Sequence, residues 1–140
     1  QTCAQGCCVI RYLLDTNILL AATIAPERLP DEIAELLRDP DKTVYFSAAS
    51  IWEVAIKRSL NRESFDFKPE DVHQLAVETG FAELPVLSQH CHALARLPWH
   101  HRDPFDRLLV AQAQAMPARL LTSDDKLAQY SDLVQRITLR

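Results

Sequence analysis

Short apolar runs alternate along this chain with longer segments whose apolar residues recur at helical spacing. The runs at residues 9–14 (VIRYLL), 43–46 (TVYF), rich in β-branched and aromatic side chains, and 119–121 predict strands, with 82–84 a candidate short one. A last strand is expected over 136–139. Helices are predicted between them. The first covers 18–24 with Asn17 as N-cap. The second is IAELLR, capped by Asp31 and ending near Asp39-Pro40. A third spans 47–60, and a fourth runs from Pro69, near N1, to Thr79, where Gly80 stops it. Further helices are expected over 88–97, ended by Pro98, from Asp103-Pro104 to about Met116-Pro117, and briefly over 124–130. Strands alternating with helices predict an α/β fold with a mainly parallel sheet.

At 140 residues, 48% hydrophobic and 24% charged, the chain has the length and composition of one globular domain with a sizeable core. Only 2 Gly against 8 Pro favours helices and short stiff connections over hairpins. No stretch approaches the ~18 apolar residues of a membrane span. Residues 1–8 (QTCAQGCC) lack the charged start and apolar run of a signal peptide. They are expected to be a disordered or added leader, leaving 9–140 as a single domain. Cys3, Cys7, Cys8 and Cys91 make no disulfide framework, which fits a reducing cytoplasm. A zinc site is disfavoured because paired C-x₂-C units are missing.

The net charge of −4 argues mildly against a nucleic-acid binder. Four of the negative charges, however, recur in one local setting: Asp15 in YLLDTNILL, Glu53 in SAASIWEVAIKR, Asp106 in HRDPFDRLLVAQAQA and Asp124 in RLLTSDDKL. Each falls where a strand gives way to a helix or in that helix's first turn, and such positions gather at the carboxyl ends of parallel strands. Carboxylates converging there repel one another unless a cation sits among them, and a hard divalent ion such as Mg²⁺ or Mn²⁺ suits oxygen donors. That is the outline of a phosphodiester-cutting site.

Each acid also has a structural explanation. Asp15 could be a turn residue. Ser50-x-x-Glu53 reads as a capping box, although Ser47 can cap the same helix and leave Glu53 a full turn inside it. Asp103 before Pro104 is explained as an N-cap, which leaves Asp106 at N3 as the better ligand. Asp125 reads as a helix-start charge facing solvent, and Asp124 lies nearer the strand end. Thr16 and Thr122 could place hydroxyls near a bound water or satisfy turn backbone. Lys57, Arg58 and Arg62, and Arg102 and Arg107 beside His100 and His101, form basic clusters; Lys57, Arg58 and Arg107 are the candidates for steering a phosphate backbone, against the alternative of a solvated helix face.

The segments YLLDTNILLAA, SAASIWEVAIKRSL, HHRDPFDRLLVAQA and LLTSDDKLAQY, in this order and spacing, resemble a PIN domain, specifically a VapC-type toxin ribonuclease. The resemblance covers nearly all of residues 10–139. It implies a three-layer α/β/α fold around a mainly parallel sheet and a Mg²⁺- or Mn²⁺-dependent endoribonuclease. Asp15, Glu53, Asp106 and Asp124 match the family's four acids, with Asp15 and Asp106 as ligands, and Lys57 matches the basic residue one turn after the Glu. The leader has no family counterpart, and the usual Met near Arg11 or Tyr12 is absent. The resemblance also implies an RNA substrate, a small cognate antitoxin, a homodimer and a cytoplasmic location. The helix pair around 33–37 and 51–56 is the expected antitoxin surface, unless those residues are plain core.

Two other enzyme classes fit less well. A haloacid-dehalogenase-type phosphatase needs a second Asp where Asn17 stands, and a response-regulator receiver needs an acidic pair after strand one. The alternative to an enzyme is a non-catalytic PIN-fold module that binds RNA or protein.

Overall fold

A computed structural model of the chain describes residues 10–60, 66–99 and 103–140. Within them, β1 (Ile10–Leu14), β2 (Lys42–Ser47), β3 (Ala82–Leu84), β4 (Arg119–Thr122) and β5 (Val134–Arg136) form one sheet in the order β3-β2-β1-β4-β5. Every neighbouring pair is parallel. The helices are α1 (Thr16–Ile24), α2 (Asp31–Arg38), α3 (Ala48–Ser59), α4 (Pro69–Thr79), α5 (Ser88–Ala95) and α6 (Pro104–Ala115).

Alternation along the central strands divides the core between two faces. Tyr12, Leu14, Val44, Phe46 and Leu121 pack with Ile18, Leu19, Ile33, Leu37, Val54, Val72 and Ala76 from α1 to α4. Leu13 and Leu120 point the other way and pack with Leu109, Val110 and Ala113 of α6 and with Leu127. Helices therefore cover both faces, and the fold is the expected PIN-like three-layer α/β/α sandwich. Gly80 closes α4 at a left-handed φ of 99°, a conformation that costs glycine no Cβ clash.

The chain steps outward from β1 to β2 and β3, then returns to β4 on the other side of β1. The reversal opens a crevice beyond the carboxyl ends of β1 and β4, where open α/β sheets hold their ligands. A backbone bond from the Asp15 amide to the Leu121 carbonyl, 3.0 Å, ties the two strand ends together there.

Several boundaries differ from those expected. Asp15, not Asn17, is the N-cap of α1, because its Oδ1 accepts the Ile18 amide at 2.8 Å and the helix begins at Thr16. Pro30 stands at the cap of α2, with Asp31 already inside it. Helix α5 stops at Ala95, before Leu97. The last strand lies at Val134–Arg136, earlier than the apolar pair at 137 and 139 indicated; Ile137 is buried and its amide reaches the Thr122 carbonyl at 2.6 Å just beyond the ladder. Of the helix pair expected to meet an antitoxin, Ile33 and Leu37 are 4% and 8% exposed and pack in the core, while Ile51 and Ile56 are half-buried. The leader 1–8, Arg62, His100, His101 and Arg102 lie outside the described residues.

Candidate active site

A cavity of about 190 Å³ opens at the β1–β4 crevice and is lined by Asp15, Thr16, Asn17, Glu53, Lys57, Asp103, Asp106 and Asp124. The four acids singled out in the sequence thus share one cavity, together with a fifth. A larger hollow of about 470 Å³, between α2 and the end of the sheet, brings only Glu32 and Arg136 as charged groups and has no convergent chemistry.

Asp15 follows β1 directly and is only 3% exposed. Its Oδ1 caps α1, and its Oδ2 accepts the Thr122 hydroxyl at 2.5 Å. Burial raises its pKa from the usual carboxylate range to about 6; hydrogen bonds from Thr122, Ile18 and Ser123 oppose the shift, and the Glu53 charge adds to it. Thr122, wholly buried at the end of β4, also accepts the Asp124 amide at 3.0 Å. One hydroxyl therefore fixes Asp15 relative to the backbone that carries Asp124. Asp124 itself caps the short 3₁₀ turn Asp125–Gln129 through the Lys126 amide, 2.9 Å.

Glu53 belongs to no capping box. The Ser47 hydroxyl caps α3 by accepting the Ala49 amide at 3.0 Å. Glu53 sits one turn further in, 5% exposed, with Oε1 accepting the Thr16 hydroxyl at 2.6 Å and Oε2 paired with Lys57 Nζ at 2.8 Å. The i,i+4 spacing of Glu53 and Lys57 lets one helix supply both charges.

Asp103 caps α6 by accepting the Phe105 amide at 2.9 Å and the Asp106 amide at 3.3 Å. The cap role does not exhaust it, because Asp103 also lines the cavity. Asp106, at N3 of the same helix, is raised to about 8, first by burial and then by the charges of Asp103, Asp15, Glu53 and Asp124. Asn17 lines the cavity too. The signal for both was present in the sequence: a cap at the carboxyl edge of the sheet faces the crevice as well as its helix.

The candidate contact residues separate. Lys57 and Thr16 line the cavity. Thr122 lies behind Asp15 and orients it. Arg58 pairs with Asp66 at 3.2 Å and is not among the lining residues. Arg107 is 4% exposed; its Nη2 donates to the Leu94 and Leu97 carbonyls at 3.2 and 3.0 Å, and its guanidinium lies 3.9 Å from the Trp99 ring centroid. It locks the end of α5 onto α6 and is not placed to steer a phosphate. Asp125 is exposed and pairs with Arg136, as a solvent-side charge does.

The lining is chemically uniform. It offers hard oxygen donors, without a thiol or an imidazole, and Lys57 is its one cation. Among the described residues no three His, Cys, Asp or Glu side chains are already drawn together as a metal-holding group. Asp15, Glu53, Asp103 and Asp124 are each held by protein partners instead. The pKa values of Asp15 and Asp106 are raised first by burial and then by neighbouring carboxylates, and the donor set fits a hard divalent cation.

A model of the PIN domain family matches residues 12–133. The chain belongs to the PIN domain family. No curated protein matches it significantly. Among solved structures, this PIN domain is similar to VapBC2 from Rickettsia felis bound to a DNA fragment from its promoter, at 17% identity and a TM-score of 0.68, covering 91% of this chain and 98% of that one. It is also similar to VapBC-5 from Mycobacterium tuberculosis, a member of the VapBC family of toxin-antitoxin systems, at 22% identity and a TM-score of 0.58, covering 91% and 97%. VapBC-1 from nontypeable Haemophilus influenzae aligns at 16% identity and 0.58, covering 91% and 98%. At such identities the likeness concerns the fold of the PIN domain.

Proposed function

We propose that this PIN domain is a divalent-metal-dependent endoribonuclease and the toxin of a toxin–antitoxin pair. The observation that carries the proposal is the convergence of Asp15, Glu53, Asp106 and Asp124 on one cavity at the sheet's switch point, with Asp106 raised to about 8. The likeness of the fold to VapBC structures supports the toxin assignment.

Asp15 and Asp106 are the proposed principal ligands of Mg²⁺ or Mn²⁺, with Glu53 and Asp124 completing the set. Such an ion, when bound, lowers the pKa of a water and polarises a phosphoryl oxygen. The chain's own residues prepare the site for that chemistry. Thr122 and the Ile18 amide hold Asp15 in one orientation. Thr16 and Lys57 hold Glu53 between them, which leaves Glu53 placed to orient a water and Lys57 placed beside an incoming phosphate. Asp103 stands next to Asp106 as an additional anion and a fixed cap. The substrate class is RNA, the inhibitory partner a small antitoxin, and the working form a homodimer in the cytoplasm. Among the described residues no helix is long and apolar enough to cross a membrane.

The test is cleavage of mixed RNA with Mg²⁺ or Mn²⁺, with chelation as the control. Wild-type protein should cleave, chelation should stop it, and Asp15→Asn should cleave on the order of 10²–10³-fold more slowly. Full activity in Asp15→Asn would refute the assignment. No cleavage and no Mn²⁺ binding by calorimetry would favour the non-catalytic binding module. Solution mass tests the dimer directly.

A further inference from the structure

We propose that Ser50, buried behind the acidic cavity, is a positioning residue of the cation site: through the Thr16 hydroxyl it fixes the Glu53 carboxylate relative to Asp15. The cation rests on the reading above; the hydroxyl chain itself does not.

Ser50 is 1% exposed and is not among the residues that line the cavity. It has no capping duty on α3, because the Ser47 hydroxyl accepts the Ala49 amide and Glu53 is bound to Thr16 and Lys57. A buried hydroxyl is costly without a partner, and alanine in its place would favour the helix more. Among the described residues the Ser50 hydroxyl makes one hydrogen bond, with Thr16 at 3.0 Å. Thr16 is 4% exposed and also meets Glu53 Oε1 at 2.6 Å.

A hydroxyl carries one proton, so Thr16 cannot donate to both neighbours. Glu53 is paired with Lys57 as a carboxylate, which only accepts, and it is the nearer of the two. Thr16 therefore donates to Glu53, and Ser50 donates to Thr16. The chain runs one way, from Ser50 through Thr16 to Glu53. Each donation polarises the next, so Ser50 strengthens the hold of Thr16 on Oε1 and keeps its hydroxyl from turning away.

The chain also joins two walls of the cavity. Thr16 follows Asp15 directly and opens α1, while Ser50 and Glu53 lie on one face of α3. Ser50 thus sets how Glu53 stands relative to Asp15, as Thr122 joins Asp15 to the backbone that carries Asp124. Loosening such an outer partner weakens ion binding even though the partner never touches the ion.

The experiment is calorimetric titration of metal-free protein with Mn²⁺, with a thermal midpoint for each variant to show that it is folded. Thr16→Val should weaken Mn²⁺ binding roughly ten-fold, and Ser50→Ala roughly three-fold because it acts at one remove. Added to Thr16→Val, Ser50→Ala should cost nothing further, since the hydroxyl it serves is gone. Threonine and valine match in shape, so Ser50→Thr should bind Mn²⁺ roughly three-fold more tightly than Ser50→Val. Unchanged affinity in Ser50→Ala, losses that add in the double variant, or equal affinity of Ser50→Thr and Ser50→Val would each overturn the proposal and leave Ser50 as packing between α3 and α1. Coupled loss of Mn²⁺ affinity, with no RNA cleavage by the wild type, would uphold Ser50 and refute the nuclease assignment. Cleavage with Mn²⁺ affinity indifferent to Ser50 would do the reverse, and a wild type that binds no Mn²⁺ would refute both.

Discussion

On the β1–β4 wall of the cavity, Asp15 is buried but receives the Ile18 amide and the Thr122 hydroxyl, and its pKa rises only to about 6. On the α6 wall, burial and four neighbouring carboxylates all push Asp106 the same way, to about 8. The first wall fixes the direction of an anion. The second gathers repulsion that a cation would relieve. A site of this kind is cheapest to hold empty when one acid is protonated and becomes most avid when it is not.

The largest expected effects come from removing one charge on each wall. Asp15→Asn and Asp106→Asn should each lower metal-dependent cleavage on the order of 10²–10³-fold, the usual cost of losing a charge-stabilising group. Their stabilities should diverge. Without metal at pH 8, Asp106→Asn should raise the thermal midpoint by a few degrees (on the order of 1 kcal/mol). Asp15→Asn should gain less, because an amide nitrogen at the Oδ2 position cannot accept the Thr122 hydroxyl. Equal gains would erase the difference between the walls.

Next is pH. Both folded-state pKa values lie above the ordinary value of 3.8, so the folded protein holds protons that the unfolded chain releases. The stability this contributes is fully present below pH 3.8 and is lost as pH rises, through about 6 for Asp15 and about 8 for Asp106. Thermal midpoints of metal-free protein should therefore fall across that window, and excess Mn²⁺ should reverse the trend. A flat profile would show that the carboxylates are not strained.

A smaller effect is expected from Thr122→Val, which frees Asp15 and leaves Glu53 with its Thr16 and Lys57 partners. Loss of such an orienting hydrogen bond should weaken Mn²⁺ affinity roughly ten-fold, as measured by calorimetry.

Much of this was legible in the sequence. β3 and α4 fall where the apolar pattern and the Pro69 and Gly80 signals put them. The convergence of the four acids followed from their shared place after strands, since a parallel sheet brings those places together. What the chain did not reveal concerned side chains with two possible uses. A carboxylate at a helix start both caps and faces the crevice, so Asp103 was set aside as a cap and Asn17 was given the cap that Asp15 holds. Arg107 had the look of a surface cation, yet α6 is buried all round from Arg107 to Ala113, and the nearly uninterrupted apolar character of LLVAQA was the available sign. The final strand was misplaced because Ile137 is buried while standing just outside the ladder.

The most direct test is calorimetric titration of the metal-free protein with Mn²⁺ at pH 7, in two buffers of different ionisation enthalpy. The cation-site assignment predicts binding with release of a proton, chiefly from Asp106, and loss of both signals in Asp106→Asn. Absence of binding, or binding that Asp106→Asn leaves unchanged, would contradict it.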